Sequence, residues 1–190
     1  MIASDIHGSA FFCRKMAERF GEERADRLLL LGDLLYHGPR NDLPKEYEPK
    51  KVIEVLNGLG EKIFCVQGNC DSQVDQMVLN FPICAEYAVL ELGGRLVYAT
   101  HGHVFNALTP PPLCKGDILL CGHTHVPAKD LGEKFSYLNP GSVSIPKENS
   151  AHSYMLYEDG LFVWKNLLDG KASSLGICSL WTVRQPQRIK

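Results

Sequence analysis

Short apolar runs recur along the first 125 residues, and most of them end in glycine, histidine, aspartate or asparagine. Runs of this length and composition are typical of buried β-strands rather than helices. One of them stands at the N-terminus. Another precedes Asp33, where four consecutive leucines are followed by a glycine and this carboxylate. The five strands predicted in this way are MIAS, RLLLL, KIFCV, RLVYAT and DILLC.

Helical periodicity fills the gaps between the early strands. The stretch SAFFCRKMAERF carries apolar residues at positions 11, 12, 16 and 20, which is a helical spacing. PKKVIEVLNGLG begins with Pro49, a residue suited to a first helical turn, and ends in glycines. DSQVDQMVLNF predicts a third, short helix that Asp71 or Ser72 would cap.

The pattern changes from residue 83 onward, where three hairpins are predicted. They are CAEYAVLELGGRLVYAT, AKDLGEKFSYLNPGS and SYMLYEDGLFVWKNL. The chain therefore begins as βαβαβ and ends mostly as β-structure. This order favours the α/β (α+β) class, with β-sheets packed face to face and helices outside.

Candidate chemistry gathers at the carboxyl ends of the predicted strands, where open α/β sheets bind ligands. Taken singly, such residues are more often turn formers, helix caps or hydrogen-bonded histidines. Together they offer seven nitrogen or oxygen donors from five strand ends, enough for two cations with water completing the shells. An unpaired buried charge is costly, so a cation would compensate Asp33, the natural bridge between two ions. The predicted metal ligands are Asp5, His7, Asp33, Asn69, His101, His123 and His125. Asp71 fits two roles equally, as a residue that orients one of these ligands or as the cap of the helix that follows it.

Composition narrows the classes of protein further. The chain has 190 residues and a formal net charge of −2, which argues against a basic nucleic-acid footprint over the whole surface. No secretory signal and no apolar run long enough to span a bilayer are visible, so we expect a soluble, cytoplasmic protein without a membrane partner. Seven cysteines without a CxxC pair indicate mostly free core thiols in a reducing compartment.

The motifs DIH, GD, GNCD, THGH and GHTH, in this order and spacing, resemble the calcineurin-like metallophosphoesterase superfamily. LYHGPRN, GNCDSQVDQM and NPGSVSIPK resemble its small bacterial YfcE-like phosphodiesterases. The resemblance covers roughly residues 1–170 and implies a four-layer αββα sandwich of two mixed sheets flanked by helices. We expect one domain over residues 1–175 and a partly disordered tail over residues 176–190.

Carried over by position, the resemblance implies one ion held by Asp5, His7, Asp33 and His125. The other ion would be held by Asp33, Asn69, His101 and His123. Mn²⁺ is implied by the resemblance, whereas the mixed ligands alone suit Mn, Fe, Zn, Co or Ni. The expected reaction is in-line attack on a phosphodiester by a hydroxide bridging the two ions. Two such ions carry +4, and two aspartates and a hydroxide remove 3, so the net +1 suits a diester monoanion without forbidding a monoester.

The sequence departs from the superfamily at Cys70, which stands where many members have a histidine that protonates the leaving group. A thiol with a pKa of about 8.5 is poorly matched to that role, so good leaving groups such as aryl esters should be preferred. A space-filling role for Cys70 is equally consistent with the sequence. His103 and His37 are the substitute acids, and Arg40 is a candidate phosphate clamp, although each also fits a surface residue without a role.

Two other functions fit the same fold. One is a non-catalytic scaffold or binding module, as in the retromer subunit that resembles this family, but the complete ligand set favours an enzyme. The other is a phosphomonoesterase or a nuclease, and no basic stripe supports binding to nucleic acid. The resemblance also implies a homodimer or a higher homo-oligomer, and the expected partner is a small phosphodiester substrate.

Overall fold

Two mixed β-sheets pack face to face in the computed structural model, which describes residues 1–179. The strands are, in chain order, β1 (Ile2–Ala3), β2 (Leu28–Leu30), β3 (Ile63–Cys65), β4 (Tyr87–Leu92), β5 (Arg95–Thr100), β6 (Asp117–Leu120), β7 (Ala128–Leu131), β8 (Phe135–Asn139), β9 (Ser153–Glu158), β10 (Leu161–Asn166) and β11 (Ala172–Ser179). The first sheet has the order β11-β10-β9-β1-β2-β3, and the second has the order β4-β5-β6-β8-β7. The five predicted strands and three predicted hairpins are confirmed.

The helices are α1 (Ala10–Glu22), α2 (Pro49–Leu59) and α3 (Gln73–Gln76), with a 3₁₀ turn at Gly60–Lys62. The hydroxyl of Ser9 caps α1 by accepting a hydrogen bond from the Phe12 N–H, and α2 begins at Pro49 as predicted. Helix α3 is shorter than its sequence pattern indicates. The Gln76 amide donates to the carbonyls of Leu79 and Phe81 and accepts from the Ile83 N–H, which turns the following chain into the core.

Parallel pairing brings the strand ends that carry the candidate residues to one end of the sandwich. Strands β1, β2 and β3 run parallel, with Ile2 opposite Leu29 and Leu29 opposite Phe64. Strands β5, β6 and β8 run parallel in the second sheet. The loops that follow these strands therefore lie close together, where α/β sheets bind ligands.

The apolar core has three parts. One lies between the sheets and includes Leu31, Val97 and Trp164. Another lies between the six-stranded sheet and the helices and includes Met16 and Leu56.

The third part covers the outer face of the five-stranded sheet, where Tyr98 and Leu119 pack with Phe105 and Leu113. In the part of the chain that the structure describes, the outer layer on this sheet is thus the loop over residues 102–116. Two packed mixed sheets flanked by helices are confirmed, with α1 and α2 packed on the six-stranded sheet.

Strand β11 crosses the predicted boundary between domain and tail at residues 175 and 176. It pairs antiparallel with β10, and Cys178 packs between the sheets beside Phe162. Residues 176–179 are therefore part of the sandwich. The rest of the predicted disordered tail, residues 180–190, lies outside the described residues.

Within residues 1–179, none of the helices is long and apolar enough to cross a membrane. All seven cysteines are free thiols, and Cys13, Cys65, Cys121 and Cys178 are buried. Their burial agrees with the predicted role of most cysteines as small core residues.

Candidate metal centre

The seven predicted ligands converge at the carboxyl end of the sandwich. Asp5 and His7 follow β1, Asp33 follows β2, and Asn69 follows β3. The second sheet contributes three imidazoles, from His101 after β5 and from His123 and His125 after β6. The carboxylates and the amide thus come from one sheet, and most of the imidazoles come from the other.

One group of donors surrounds Asp5. Its Oδ1 lies 3.7 Å from His7 Nε2 and 3.4 Å from His125 Nε2. The two imidazole nitrogens are themselves 3.3 Å apart, and Asp33 Oδ2 lies 3.5 Å from His7 Nε2.

A second group shares Asp33 with the first. Its Oδ2 lies 3.4 Å from His101 Nε2, which in turn lies 3.0 Å from Asn69 Oδ1 and 3.2 Å from His123 Nδ1. Asp33 Oδ2 therefore stands between the two groups, within reach of an imidazole from each.

Backbone carbonyls orient three of the four imidazoles. The Nδ1–H of His7 donates to Tyr36 O at 2.8 Å, and that of His101 donates to Leu31 O at 2.6 Å. The Nδ1–H of His125 donates to Ile145 O at 2.6 Å. With the ring proton held on Nδ1, each Nε2 faces the centre as an electron-pair donor, which is the arrangement of metal-bound histidines.

Asp71 holds the loops that carry Asp33 and Asn69. Its carboxylate accepts hydrogen bonds from the backbone N–H groups of Asp33, Leu34 and Gly68, each at 2.8 Å. Burial raises the pKa of Asp71, and these backbone donors oppose that rise. The sequence left Asp71 open between a helix cap and a residue that orients a ligand, but Ser72 caps α3 and Asp71 orients the ligand loops.

Asn139 has the same role on the opposite side of the centre. Its Nδ2 donates to Gly122 O at 2.7 Å and to Thr124 Oγ1 at 3.1 Å, which holds the GHTH loop. Ser142 and Ser144, which the sequence analysis missed, both donate hydroxyl hydrogen bonds to Asp5 O. Their alternate spacing in the PGSVS stretch was the signal that could have found them.

The ligand loops adopt a backbone conformation that is rare for residues with a side chain. Five of the seven predicted ligands have a positive φ, namely Asp5, His7, Asp33, His123 and His125. Such residues cost about 1–3 kcal/mol each and cluster at functional sites. The motif glycines allow the loops to approach closely, since a Cβ on Gly68 would collide with Asp33 Oδ1, and one on Gly122 would collide with Ser4 Oγ.

The charges of the centre call for a cation. Asp5 is fully buried and its Oδ1 has no hydrogen-bond partner. Burial disfavours the charged form of each group, but the hydrogen bond that His101 donates to Asp33 and the negative charge of Asp5 raise the pKa of His101 to about 9. The pKa values of Asp5 and Asp33 are lowered despite burial, because imidazoles surround both carboxylates. Two ionised carboxylates that draw positive charge fit divalent ions with mixed nitrogen and oxygen ligands.

Cys70 lies at the edge of this centre. Its N–H donates to Asp33 Oδ1 at 2.8 Å, and its Sγ accepts a hydrogen bond from Asn69 Nδ2 at 3.2 Å. The sulfur also lies within 4.8 Å of donor atoms of His7 and Asp33. Burial and the negative charge of Asp33 raise the pKa of Cys70 to about 12, so this thiol holds its proton.

The other candidate residues occupy different positions. His103 is exposed, with its ring centroid 5.4 Å from that of His101. His37 packs between Tyr36 and Tyr47, at centroid distances of 4.8 and 5.1 Å, and does not line the cavity at the centre. Arg40 does line it.

The cavity has a volume of about 60 Å³ and opens onto both donor groups. Its wall includes Lys147. The sequence analysis did not single out this residue, although it is the last one of the NPGSVSIPK stretch. The residues that line the cavity are His7, Asp33, Gly38, Pro39, Arg40, Asn41, Asn69, Cys70, His123, His125 and Lys147.

Comparisons with known proteins agree with this geometry. Residues 1–159 match the model of the calcineurin-like phosphoesterase superfamily domain. Phosphodiesterase YfcE of Escherichia coli K12 is 47% identical over 164 residues, which cover 86% of this chain and 89% of that protein. A solved structure of YfcE, described as a phosphoesterase from E. coli, superposes with a TM-score of 0.90 at 41% identity and covers 95% of this chain and 98% of its own.

A more distant structure shares the fold alone. Vps29 of Entamoeba histolytica, solved in complex with Zn²⁺, matches with a TM-score of 0.58 at 21% identity, covering 90% of this chain and 94% of that chain. At this identity the match supports the sandwich architecture and carries no information on activity.

Proposed function

Because the chain belongs to the calcineurin-like phosphoesterase superfamily, we propose that it is a metal-dependent phosphodiesterase with two divalent ions at its centre. The observation that carries this proposal is the position of Asp33 Oδ2, which lies 3.5 Å from His7 Nε2 and 3.4 Å from His101 Nε2. A single carboxylate oxygen between two sets of donors is what a bridging ligand requires. The likeness to E. coli phosphodiesterase YfcE supports a diester as substrate.

The donor groups divide into two coordination sets with one shared member. One ion would be held by Asp5, His7, Asp33 and His125, and the other by Asp33, Asn69, His101 and His123. Mn²⁺ is the ion we propose because the resemblance to the family implies it, whereas the mixed imidazole, carboxylate and amide donors do not select one metal. Zn, Fe, Co and Ni would suit the same donors.

Two bound ions would supply an acidified water molecule as nucleophile and neutralise the phosphate oxygens. The residues of the chain position those groups. Asp71 fixes Asp33 through its backbone, and the carbonyls of Leu31, Tyr36 and Ile145 orient the imidazoles. Arg40, at the cavity wall, would bind an anionic group of the substrate. Because this water molecule would be the nucleophile, Cys70 is given no covalent role and no phosphoenzyme is part of the proposal.

The same thiol makes a poor proton donor for a departing alkoxide. We therefore expect a steep dependence of the rate on the pKa of the leaving group, with aryl esters cleaved fastest. His103, exposed beside His101, is the remaining candidate acid, because His37 is enclosed by two tyrosines. A shallow dependence that becomes steep in a His103→Ala variant would identify His103 as that acid and would contradict the expectation.

The test of the whole proposal is hydrolysis of bis(4-nitrophenyl) phosphate by protein stripped with a chelator and reloaded with each metal. We expect no turnover without metal, recovery with Mn²⁺, and two ions per chain by elemental analysis. A folded protein that takes up metal and cleaves neither diesters nor monoesters would favour the scaffold. Cleavage of monoesters alone would favour a phosphatase.

The homo-oligomeric state, the single domain and the cytoplasmic location stay predictions. Light scattering on the purified protein would measure the number of chains per particle.

A further inference from the structure

The wall of the 60 Å³ cavity carries more positive charge than a single phosphodiester needs. Arg40 and Lys147 both line it, and Asp33, which faces both sets of metal donors, is the one acidic residue in this wall. A diester carries one negative charge, which the net +1 of two ions, two aspartates and a hydroxide already balances. Arg40 and Lys147 add two positive charges that such a substrate leaves uncompensated.

The backbone of Lys147 is tied to a candidate metal ligand. The Lys147 N–H donates to His125 O at 3.2 Å, while the ring of His125 donates to Ile145 O. Ser150 closes the loop, because its N–H and its hydroxyl both donate to Lys147 O, at 3.0 and 2.6 Å. Lys147 therefore keeps a fixed position relative to His125.

Lys147 lines the same cavity as three of the proposed metal ligands, His7, His123 and His125. Both Lys147 and Arg40 are exposed, so a ligand from solvent can reach them.

The positive charges of Arg40 and Lys147 have no ion-pair partner among the described residues. Within residues 1–179, no carboxylate lies within ion-pair distance of Arg40 or Lys147, whereas Arg14 pairs with Glu46 and Lys165 pairs with Glu23. Unpaired cations at the mouth of a binding cavity attract anionic ligands.

We propose that Arg40 and Lys147 form a subsite for a second anionic group of the substrate. The diester that is hydrolysed here then also carries a phosphate or a carboxylate group. This inference rests on the proposed function for its reaction, but the subsite can be tested by binding alone.

The kinetic test uses three matched substrates. They are the 4-nitrophenyl ester of thymidine 5′-phosphate, the same ester with a 3′-phosphate, and the same ester with a 3′-succinyl group. We expect the wild type to prefer at least one of the two esters with a 3′ anionic group over the parent ester by about tenfold in kcat/KM, mainly through KM, as for a charge-assisted contact. Which of these two esters is preferred distinguishes a phosphate subsite from a carboxylate subsite.

The variants separate this subsite from general loss of activity. Lys147→Ala and Arg40→Ala should each reduce the preference, and the double variant should abolish it. Lys147→Arg should retain it, and so should Lys134→Ala, which removes an exposed lysine from the β7–β8 turn. If Lys147→Ala slows all three substrates equally, or leaves the preference unchanged, the subsite is refuted.

A binding measurement keeps this inference distinct from the proposed function. Calorimetry would compare thymidine 3′,5′-bisphosphate with thymidine 5′-monophosphate, using metal-free and Mn²⁺-loaded protein. Tighter binding of the bisphosphate that is lost in Lys147→Ala supports the subsite even if no diester is cleaved. Hydrolysis of the three substrates at equal rates, whether or not they carry the additional 3′ anionic group, together with equal affinities for the two nucleotides, overturns the subsite and leaves the diesterase proposal intact.

Discussion

The two ends of the β-sandwich share strands β1, β2 and β3 and differ sharply in chemistry. The end after β1, β2, β3, β5 and β6 carries buried carboxylates and imidazoles on backbone with positive φ. The other end carries a groove of about 390 Å³ lined largely by apolar side chains from both sheets. Its apolar lining includes Ile2, Leu29, Phe64, Leu90, Leu92 and Tyr157.

Charges at the two ends are satisfied in different ways. At the apolar end, Glu23 accepts from Lys165 Nζ at 2.5 Å and from the Tyr154 hydroxyl at 2.6 Å, and the N-terminal amine donates to Arg27 O at 2.8 Å. At the opposite end, Asp5 Oδ1 has no hydrogen-bond partner and two imidazole nitrogens lie 3.3 Å apart. Glu23 and the N-terminal amine thus have partners within the protein, whereas divalent ions would supply the partner of Asp5.

The largest effect should follow Asp33→Asn, which removes the charge shared by both donor groups. We expect hydrolysis of bis(4-nitrophenyl) phosphate to fall by about a thousandfold or more, because metal ions supply several kcal/mol of transition-state stabilisation. Metal content should fall below two ions per chain. The control is Asp26→Asn at the apolar groove, and the comparison between the ends fails if both variants lose metal equally.

Asp71→Asn should have the next largest effect. An amide can accept fewer of the three backbone hydrogen bonds, so the loops of Asp33 and Asn69 lose their fixed positions. We expect Mn²⁺ affinity, measured by calorimetry, to fall about 10- to 100-fold. Asp75→Asn, which alters the α3 cap alone, should bind Mn²⁺ like the wild type, and an unchanged affinity in Asp71→Asn would contradict the role given to Asp71.

Glu23→Gln should affect stability at the apolar end without affecting the metal. Burial opposes ionisation, but hydrogen bonds from Lys165 and Tyr154 lower the pKa of Glu23 below its ordinary value of 4.5. Stability from this group is therefore present above pH 4.5 and is lost as the pH falls through the folded-state pKa. We expect the variant to be about 1–2 kcal/mol less stable at pH 7, with the difference narrowing below pH 4.5 in urea unfolding curves.

The matched control for this variant is Glu22→Gln, since Glu22 is exposed and its ion-pair partner among residues 1–179 is Arg19 on the same helix. It should change the free energy of unfolding by less than about 0.5 kcal/mol. Equal effects of the two substitutions, or a difference that grows in acid, would show that Glu23 is not held as described.

Phe64→Ser should have the smallest effect of the series. The ring of Phe64 is 52% exposed at the apolar groove, so its removal should change the free energy of unfolding by about 1 kcal/mol or less. Metal content and diester hydrolysis should equal those of the wild type. A loss of activity here would mean that the two ends are coupled through the sandwich core.

Much of this protein follows from its sequence alone. Short apolar runs and helical spacing indicated the strands, hairpins and two longer helices, because burial on both faces and amphipathic periodicity leave local patterns. The polar residues that end those runs indicated the seven donors, because the carboxyl ends of parallel strands meet.

Tertiary structure alone decided how those donors are held and what surrounds them. The sequence left Asp71 open between two roles. Hydrogen bonds from the N–H groups of Asp33 and Leu34, which lie 38 and 37 positions earlier in the chain, show that it orients the ligand loop. Lys147 ends the NPGSVSIPK motif, but the motif does not indicate that this residue reaches the cavity, which it does because its loop folds back onto His125. Helix α3 ends early because the side-chain amide of Gln76 donates hydrogen bonds to the carbonyls of Leu79 and Phe81 in the chain that follows. In each case the deciding contact joins residues whose proximity depends on the packed fold, and periodicity and motif spacing do not encode such contacts.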